Sequence, residues 1–231
     1  MRRKNRLLVA LGALALLLPA AAPANAVTST PTPAPITEET KDQLGEYMDK
    51  YGVADSVQIQ LWKKIEDGVL WDSFGGAEPV SSREIETDKS ISTVSTFEDG
   101  SIRVAEVMTG TPGINARGIT MCSTSSFPGG AQYNNCNATD GNGWATAGFT
   151  TTFIRSANYG KIVDVWAPTV QCMKPFSCSY AWHGIVRSTG TDAVPALAQM
   201  NYGLTWGGTV TNNVQLKISG ASATIYNSVN N

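Results

Sequence analysis

The sequence predicts a mainly β fold, an antiparallel β-sandwich or barrel, preceded by a short α-helical hairpin. Three observations carry that expectation. Apolar residues recur with a helical period up to about residue 65 and with a period of two further on. Turn signals rich in Gly, Asn, Ser and Pro then divide the chain into short segments, with no helical pattern between them. Charge also divides it: positions 27–106 hold 16 acidic and 7 basic residues, whereas positions 107–231 hold three acidic and six basic ones. The chain from residue 27 onward therefore carries a net charge of -6.

Taken in order, residues 1–26 read as a secretory signal peptide. Arg2, Arg3, Lys4 and Arg6 precede an apolar run from Leu7 to Leu18, and the small residues Ala24-Asn25-Ala26 follow. The run is too short to span a bilayer comfortably, and Pro19 ends it. A mature chain starting near Val27 is expected outside the cell. Residues 27–36 (VTSTPTPAPI) form a Pro/Thr spacer.

The helical hairpin is expected over 37–71. Thr37 can cap the first helix, Glu38 and Glu39 suit its positive end, and Leu44, Tyr47, Met48 and Tyr51 make one apolar face. Gly52 is placed to end it in a left-handed cap. The second helix starts at Asp55, with Val57, Leu61, Trp62 and Ile65 on one face and Gly68 closing it. Residues 72–90 (DSFGGAEPVSSREIETDKS) are polar and read as a linker or long loop.

The β-domain is expected over 91–231. Its clearest strand is 196–206, where Ala196, Ala198, Met200, Tyr202, Leu204 and Trp206 alternate with mostly polar residues. Gly207-Gly208 suggests a hairpin into Val214, Leu216 and Ile218. Other expected strands are 92–97, 101–108, 118–122, 145–153, 161–167 and 180–187, with Glu98-Asp99-Gly100 turning the first pair into a hairpin.

Four cysteines (Cys122, Cys136, Cys172, Cys178) allow three pairings, and sequence neighbours pair most economically: Cys122–Cys136 and Cys172–Cys178. A loop of the first size is worth about 3 kcal/mol by chain entropy. Zinc is the rival, but the spacings are not C-x2-C and His183 is the only histidine. No cofactor or metal is expected.

The chemistry-bearing residues are few. The acidic front half and the lack of a basic run argue against nucleic acid, and the helical hairpin has no basic recognition helix. No G-x-S-x-G elbow accompanies His183, and no P-loop or dinucleotide fingerprint occurs. Asp140-Gly141-Asn142-Gly143 lacks the further oxygen ligands of a calcium loop and reads as a turn. Asp164, in Ile162-Val163-Asp164-Val165-Trp166, shares a face with Ile162 and Trp166 if the segment is a regular strand. Apolar neighbours would then raise its pKa, though an ion pair with Arg155, Lys161 or Arg187 is the commoner outcome. Aromatic rings beside Asn, Gln and Thr can stack on sugars or anchor a protein. Tyr180 and Trp182 share a parity, with His183 opposite.

The candidate binding residues are therefore Trp166, Tyr180, Trp182, Asp164 and His183. The expected function is that of a secreted, non-catalytic module binding an extracellular glycan or protein. A membrane-active, pore-forming antagonist using strands such as 146–154 and 209–219 is the alternative. A hydrolase using Asp164, Glu98 or Glu106 comes third.

Several of these residues also form a recurrent pattern: Tyr51-Gly52-Val53, Gln58, Leu61, Lys64-Ile65, Gly68, Trp71-Asp72-Ser73, Thr96-Phe97-Glu98-Asp99-Gly100-Ser101, Cys122 and Tyr133-Asn134-Asn135-Cys136. In these the chain resembles a group of uncharacterised exported actinobacterial proteins. The resemblance implies secretion and a β-rich C-terminal half, and it carries over no activity. Cys172–Cys178 lies outside the pattern.

Overall fold

The computed structural model describes residues 36–88, 90–108, 122–206, 208–220 and 222–229, the side chains of 227–229 excepted. The expected leader, residues 27–35 of the spacer, residues 118–121 of one expected strand, and Gly207 lie outside the described residues.

The helical hairpin forms as its caps and spacing require. Helix α1 spans Glu38–Lys50, and the Thr37 hydroxyl accepts from Thr40 N at its start. Helix α2 spans Asp55–Glu66. Gly52 and Gly68 follow the two helices with φ of 75° and 81°, the left-handed backbone that ends a helix cheaply only at glycine. A single 3-10 turn, Asp72–Phe74, comes next.

The strands are β1 (Ser81–Glu86), β2 (Ser90–Thr96), β3 (Ile102–Met108), β4 (Ser123–Phe127), β5 (Gly130–Gly141), β6 (Ala145–Ser156), β7 (Gly160–Cys172), β8 (Ser177–Arg187), β9 (Thr189–Gly190), β10 (Ala196–Thr205), β11 (Thr209–Ile218) and β12 (Ala223–Val229). They form two curled antiparallel sheets, a half-barrel. The first sheet runs β1-β2-β3-β5-β6-β7-β9 with β4 added to β5, and the second runs β12-β11-β10-β8. The inward parity of the strands builds one core: Ala138, Phe149, Phe153 and Ile162 of the first sheet meet Ala198, Met200, Val214 and Leu216 of the second.

A second core lies where the helices pack on the other face of β2 and β3. Leu44, Met48, Leu61 and Ile65 meet Val94, Ile102 and Val104 there, around the fully buried Trp144. The Trp144 ring lies 5.5 Å from Trp71 and 5.0 Å from Phe176, and Trp71 Nε1 donates to Leu61 O at 2.7 Å. The helices thus share a core with the sheet.

A polar junction fixes that docking. Asp99, in the β2–β3 turn, accepts from Lys64 Nζ of α2 at 2.7 Å and from Asp72 N at 3.0 Å. Its other oxygen accepts from the Ser101 hydroxyl at 2.6 Å, and Ser101 Oγ in turn accepts from Ser73 N at 3.0 Å. Gly100 packs against Val57 so closely that an added Cβ would collide with it.

Both expected disulfides are present, Cys122–Cys136 and Cys172–Cys178. Residues 72–90 are not the expected linker. They contain the 3-10 turn and β1, which pairs with β2 from Ser81↔Thr96 to Glu86↔Ile91. This strand is exposed at five of its six positions, so it carries no apolar alternation by which to recognise it.

Candidate functional site

Among the described residues, strand β8 is the edge of the second sheet and pairs only with β10. Two register shifts in that pairing decide where its aromatic side chains point. Trp182 pairs with Asn201, but Tyr180 pairs with the next residue, Tyr202, leaving Ala181 as an extra residue on β8. The bulge puts Tyr180 and His183 on one face, with Tyr180 Oη and His183 Nδ1 hydrogen-bonded at 2.7 Å. Trp182 faces the other way. The expectation that Tyr180 and Trp182 share a face is thus corrected, because strict alternation fails at a bulge. A second shift, between Leu197↔Arg187 and Ala198↔Ile185, makes Val186 an extra residue and turns Arg187 outward.

The outward face of the second sheet carries an ordered row. Register pairs Gly184 with Gln199, Gln199 with Gln215, and Gln215 with Tyr226, one residue from each of four neighbouring strands. The Trp182 ring covers Gly184: a Cβ there would sit 2.8 Å from Trp182 Cζ2. Glycine at this position is what lets the indole lie against the sheet. Trp182 is 44% exposed and Tyr226 49% exposed. Between them, Gln215 Nε2 donates to Gln199 Oε1 at 3.1 Å, and Gln199 Nε2 donates to Asn201 Oδ1 at 2.7 Å. The two rings stand three strand spacings apart, about 14 Å. The relay orients the three amides and leaves a donor end at Asn201 and an acceptor end at Gln215. Beneath the row, Ala198, Met200, Leu216 and Ile225 are buried, which holds the platform rigid.

Asp164 and Trp166 belong to β7 of the other sheet, in register with Thr152 and Thr150. Ile162 instead pairs with Phe153 and is buried, because a register shift at Val163 separates it from Asp164. The apolar surroundings expected for Asp164 are therefore absent. Its carboxylate is exposed and accepts from the Val165 backbone N–H at 2.8 Å, occupying a donor on a strand rich in irregularities. Among the described residues it forms no ion pair with Arg155, Lys161 or Arg187. Trp166 is half-buried, and the five candidate residues do not assemble into one site.

A cleft of about 600 Å³ opens on the inner face of β1–β3, where β12 borders it. Ser82, Glu84, Thr93, Ser95 and Arg103 line it, with Tyr226 at its rim. At its base Arg103 Nε donates to Asp140 Oδ2 at 2.8 Å, with Asp140 only 1% exposed. Burial opposes the Arg103 charge, but Asp140 and the Tyr202 hydroxyl outweigh it and raise the guanidinium pKa. Register places Glu84 and Asp140 at the ends of one row (Glu84–Thr93–Ala105–Asp140), again about 14 Å apart. Glycosidase carboxyls stand about 5–9.5 Å apart. Asp164, Glu98 and Glu106 do not line this cleft. Among the described residues no group of His, Cys, Asp and Glu could hold a metal ion.

Gly184, Gln199, Asn201, Gln215 and Tyr226 are residues that sequence reasoning missed. The alternation over 196–206 places Gln199 and Asn201 on the polar side, but only the strand register aligns them with Trp182. In comparisons with known proteins, no family model, no curated protein and no solved structure matches the chain. The two disulfides suit an oxidising compartment, and no described helix is long and apolar enough to cross a membrane.

Proposed function

We propose that the protein is a secreted, non-catalytic glycan-binding module whose site is the Trp182–Gln199–Gln215–Tyr226 row. The single observation that carries this reading is the alignment of two exposed rings with a hydrogen-bonded amide relay on one rigid face. Sugar hydroxyls are both donors and acceptors, and an amide row offers both. Ring faces take the apolar C–H faces of the sugar, which aliphatic side chains do less specifically. A protein-binding patch would place its apolar anchors at the centre and polar groups at the rim. Here the order is reversed, with amides at the centre and rings at the ends. Secretion rests on the N-terminal leader pattern and on the disulfides.

The pore-forming alternative would need β6 and β11 to turn their apolar faces to lipid. Phe149 and Phe153 of β6 and Val214 and Leu216 of β11 instead lie in one shared core. Two assays separate the readings. In native electrophoresis through gels containing dissolved polysaccharides, the purified protein is expected to be retarded by at least one of them. With dye-loaded liposomes it is expected to release nothing. Dye release without any retardation would overturn the glycan reading in favour of the pore.

A further inference from the structure

We infer that the glycan taken by this face is anionic, a polysaccharide bearing carboxylates. The inference rests on the glycan reading above and adds the charge of the ligand to it. Its basis is a contrast in charge. Residues 27–106 carry 16 acidic side chains, yet the four strands of the second sheet, β8 and β10–β12, contain no Asp or Glu at all.

The two full cations of that sheet, Arg187 and Lys217, both pair with Leu197 across their respective ladders. They therefore share the outward face with Gln199 and Gln215, in the row next to the amides. Lys217 lies two residues from Gln215 on β11, about 7 Å along the strand. Its ammonium is held 4.2 Å from the centre of the Tyr226 ring. That contact fixes a normally mobile charge beside an end of the row. On the β8 side Arg187 Nη1 donates to Pro195 O at 2.7 Å, which orients its guanidinium at the opposite end. A neutral chain would use the rings and amides and gain nothing from these charges. A uronic-acid polymer satisfies all three, its hydroxyls on the amides and its carboxylates on Lys217 and Arg187. Residues 27–106, with a net charge of -9, would repel it.

The test uses polygalacturonate and hyaluronate, each beside its carboxyl-reduced neutral counterpart, in affinity electrophoresis of the full chain. The acidic forms are expected to bind at least about tenfold more tightly than the reduced forms. The difference is expected to shrink at high salt and in Lys217→Gln and Arg187→Gln, two surface changes that leave the core untouched. Equal binding of acidic and reduced forms, or unchanged acidic binding in both variants, would overturn the charge inference and leave the glycan reading standing. Binding of neither form, together with no retardation by any neutral polysaccharide, would overturn both.

Discussion

Asp99 accepts a hydrogen bond from Lys64 Nζ at 2.7 Å, joining the β2–β3 turn to helix α2. Burial raises the Asp99 pKa, but Lys64, the Ser101 hydroxyl and the N–H groups of Asp72 and Ser101 prevail and lower it. Burial likewise lowers the Lys64 pKa, while Asp99 and Asp72 prevail and raise it. A lowered carboxyl pKa contributes stability that is complete above the unfolded value of about 3.9 and is lost as pH falls through the folded value below it. A raised lysine pKa contributes stability that is complete below about 10.4 and is lost as pH climbs through the folded value above it.

Urea denaturation across pH therefore has an acid limb that Asp99→Asn should flatten. At neutral pH Asp99→Ala is expected to cost about 2–3 kcal/mol, since several hydrogen bonds to a charged group go together. The gap between wild type and Asp99→Asn should close below about pH 4. A gap that stays constant to the acid end would show that the junction is not held by this carboxylate.

The Arg103–Asp140 pair is expected to behave as a buried ion pair. Asp140→Ala leaves the buried guanidinium without its carboxylate, with only the Tyr202 hydroxyl beside it, and should cost about 3–5 kcal/mol. The double change Arg103→Met with Asp140→Leu should recover most of that loss, read from urea midpoints. If the double variant were as unstable as Asp140→Ala, shape rather than charge would be the reason both residues are there.

Gly184→Ala tests the seating of Trp182. The new methyl meets the indole at 2.8 Å, and the ring end of that side chain is free to swing away. Stability should change by no more than about 1 kcal/mol, because the site is on the surface. Polysaccharide retardation should fall sharply all the same. Full retardation in this variant, with the ring moved as judged by its fluorescence, would remove the need for a flat indole.

Tyr180 and His183 lie on the face away from Trp182. His183→Ala and Tyr180→Phe are expected to leave polysaccharide binding unchanged and to cost about 1 kcal/mol or less in a thermal melt. Loss of binding in either would place the ligand on the β7 side of β8, against the assignment made from register.

Much of the architecture was legible from residue pattern. The caps at Thr37, Gly52 and Gly68, the strand beginning at Ala196, and both cysteine pairs follow from local chemistry. Strands β1, β4, β5, β9 and β12 escaped. Of these, β1, β4 and β5 present mostly polar or small side chains, so period-two alternation of large apolar groups is absent from them. Bulges at Val163 and Ala181 reverse the face of the residues that follow, up to the next register shift, and no sequence signal marked either one. The site was legible only as single residues. Trp182 was visible as an exposed-aromatic candidate, but its alignment with Gln199, Gln215 and Tyr226 comes from pairing between strands up to 44 positions apart in the chain.

Several residues of the recurrent pattern noted in the sequence have a structural explanation. Lys64, Asp72, Ser73, Asp99 and Ser101 meet in the junction that docks the helices, and Gly100 packs against Val57 beside it. Their chemistry is that of assembly, and they lie outside the aromatic row.

The most direct measurement is calorimetric titration of wild type, Trp182→Ala and Tyr226→Ala with the polysaccharide that retards the protein most strongly. Each ring truncation is predicted to weaken binding by about tenfold or more, with the urea midpoint unchanged. Wild-type affinity in Trp182→Ala and in Tyr226→Ala would contradict the account, since no ligand could then be resting on the row they bound.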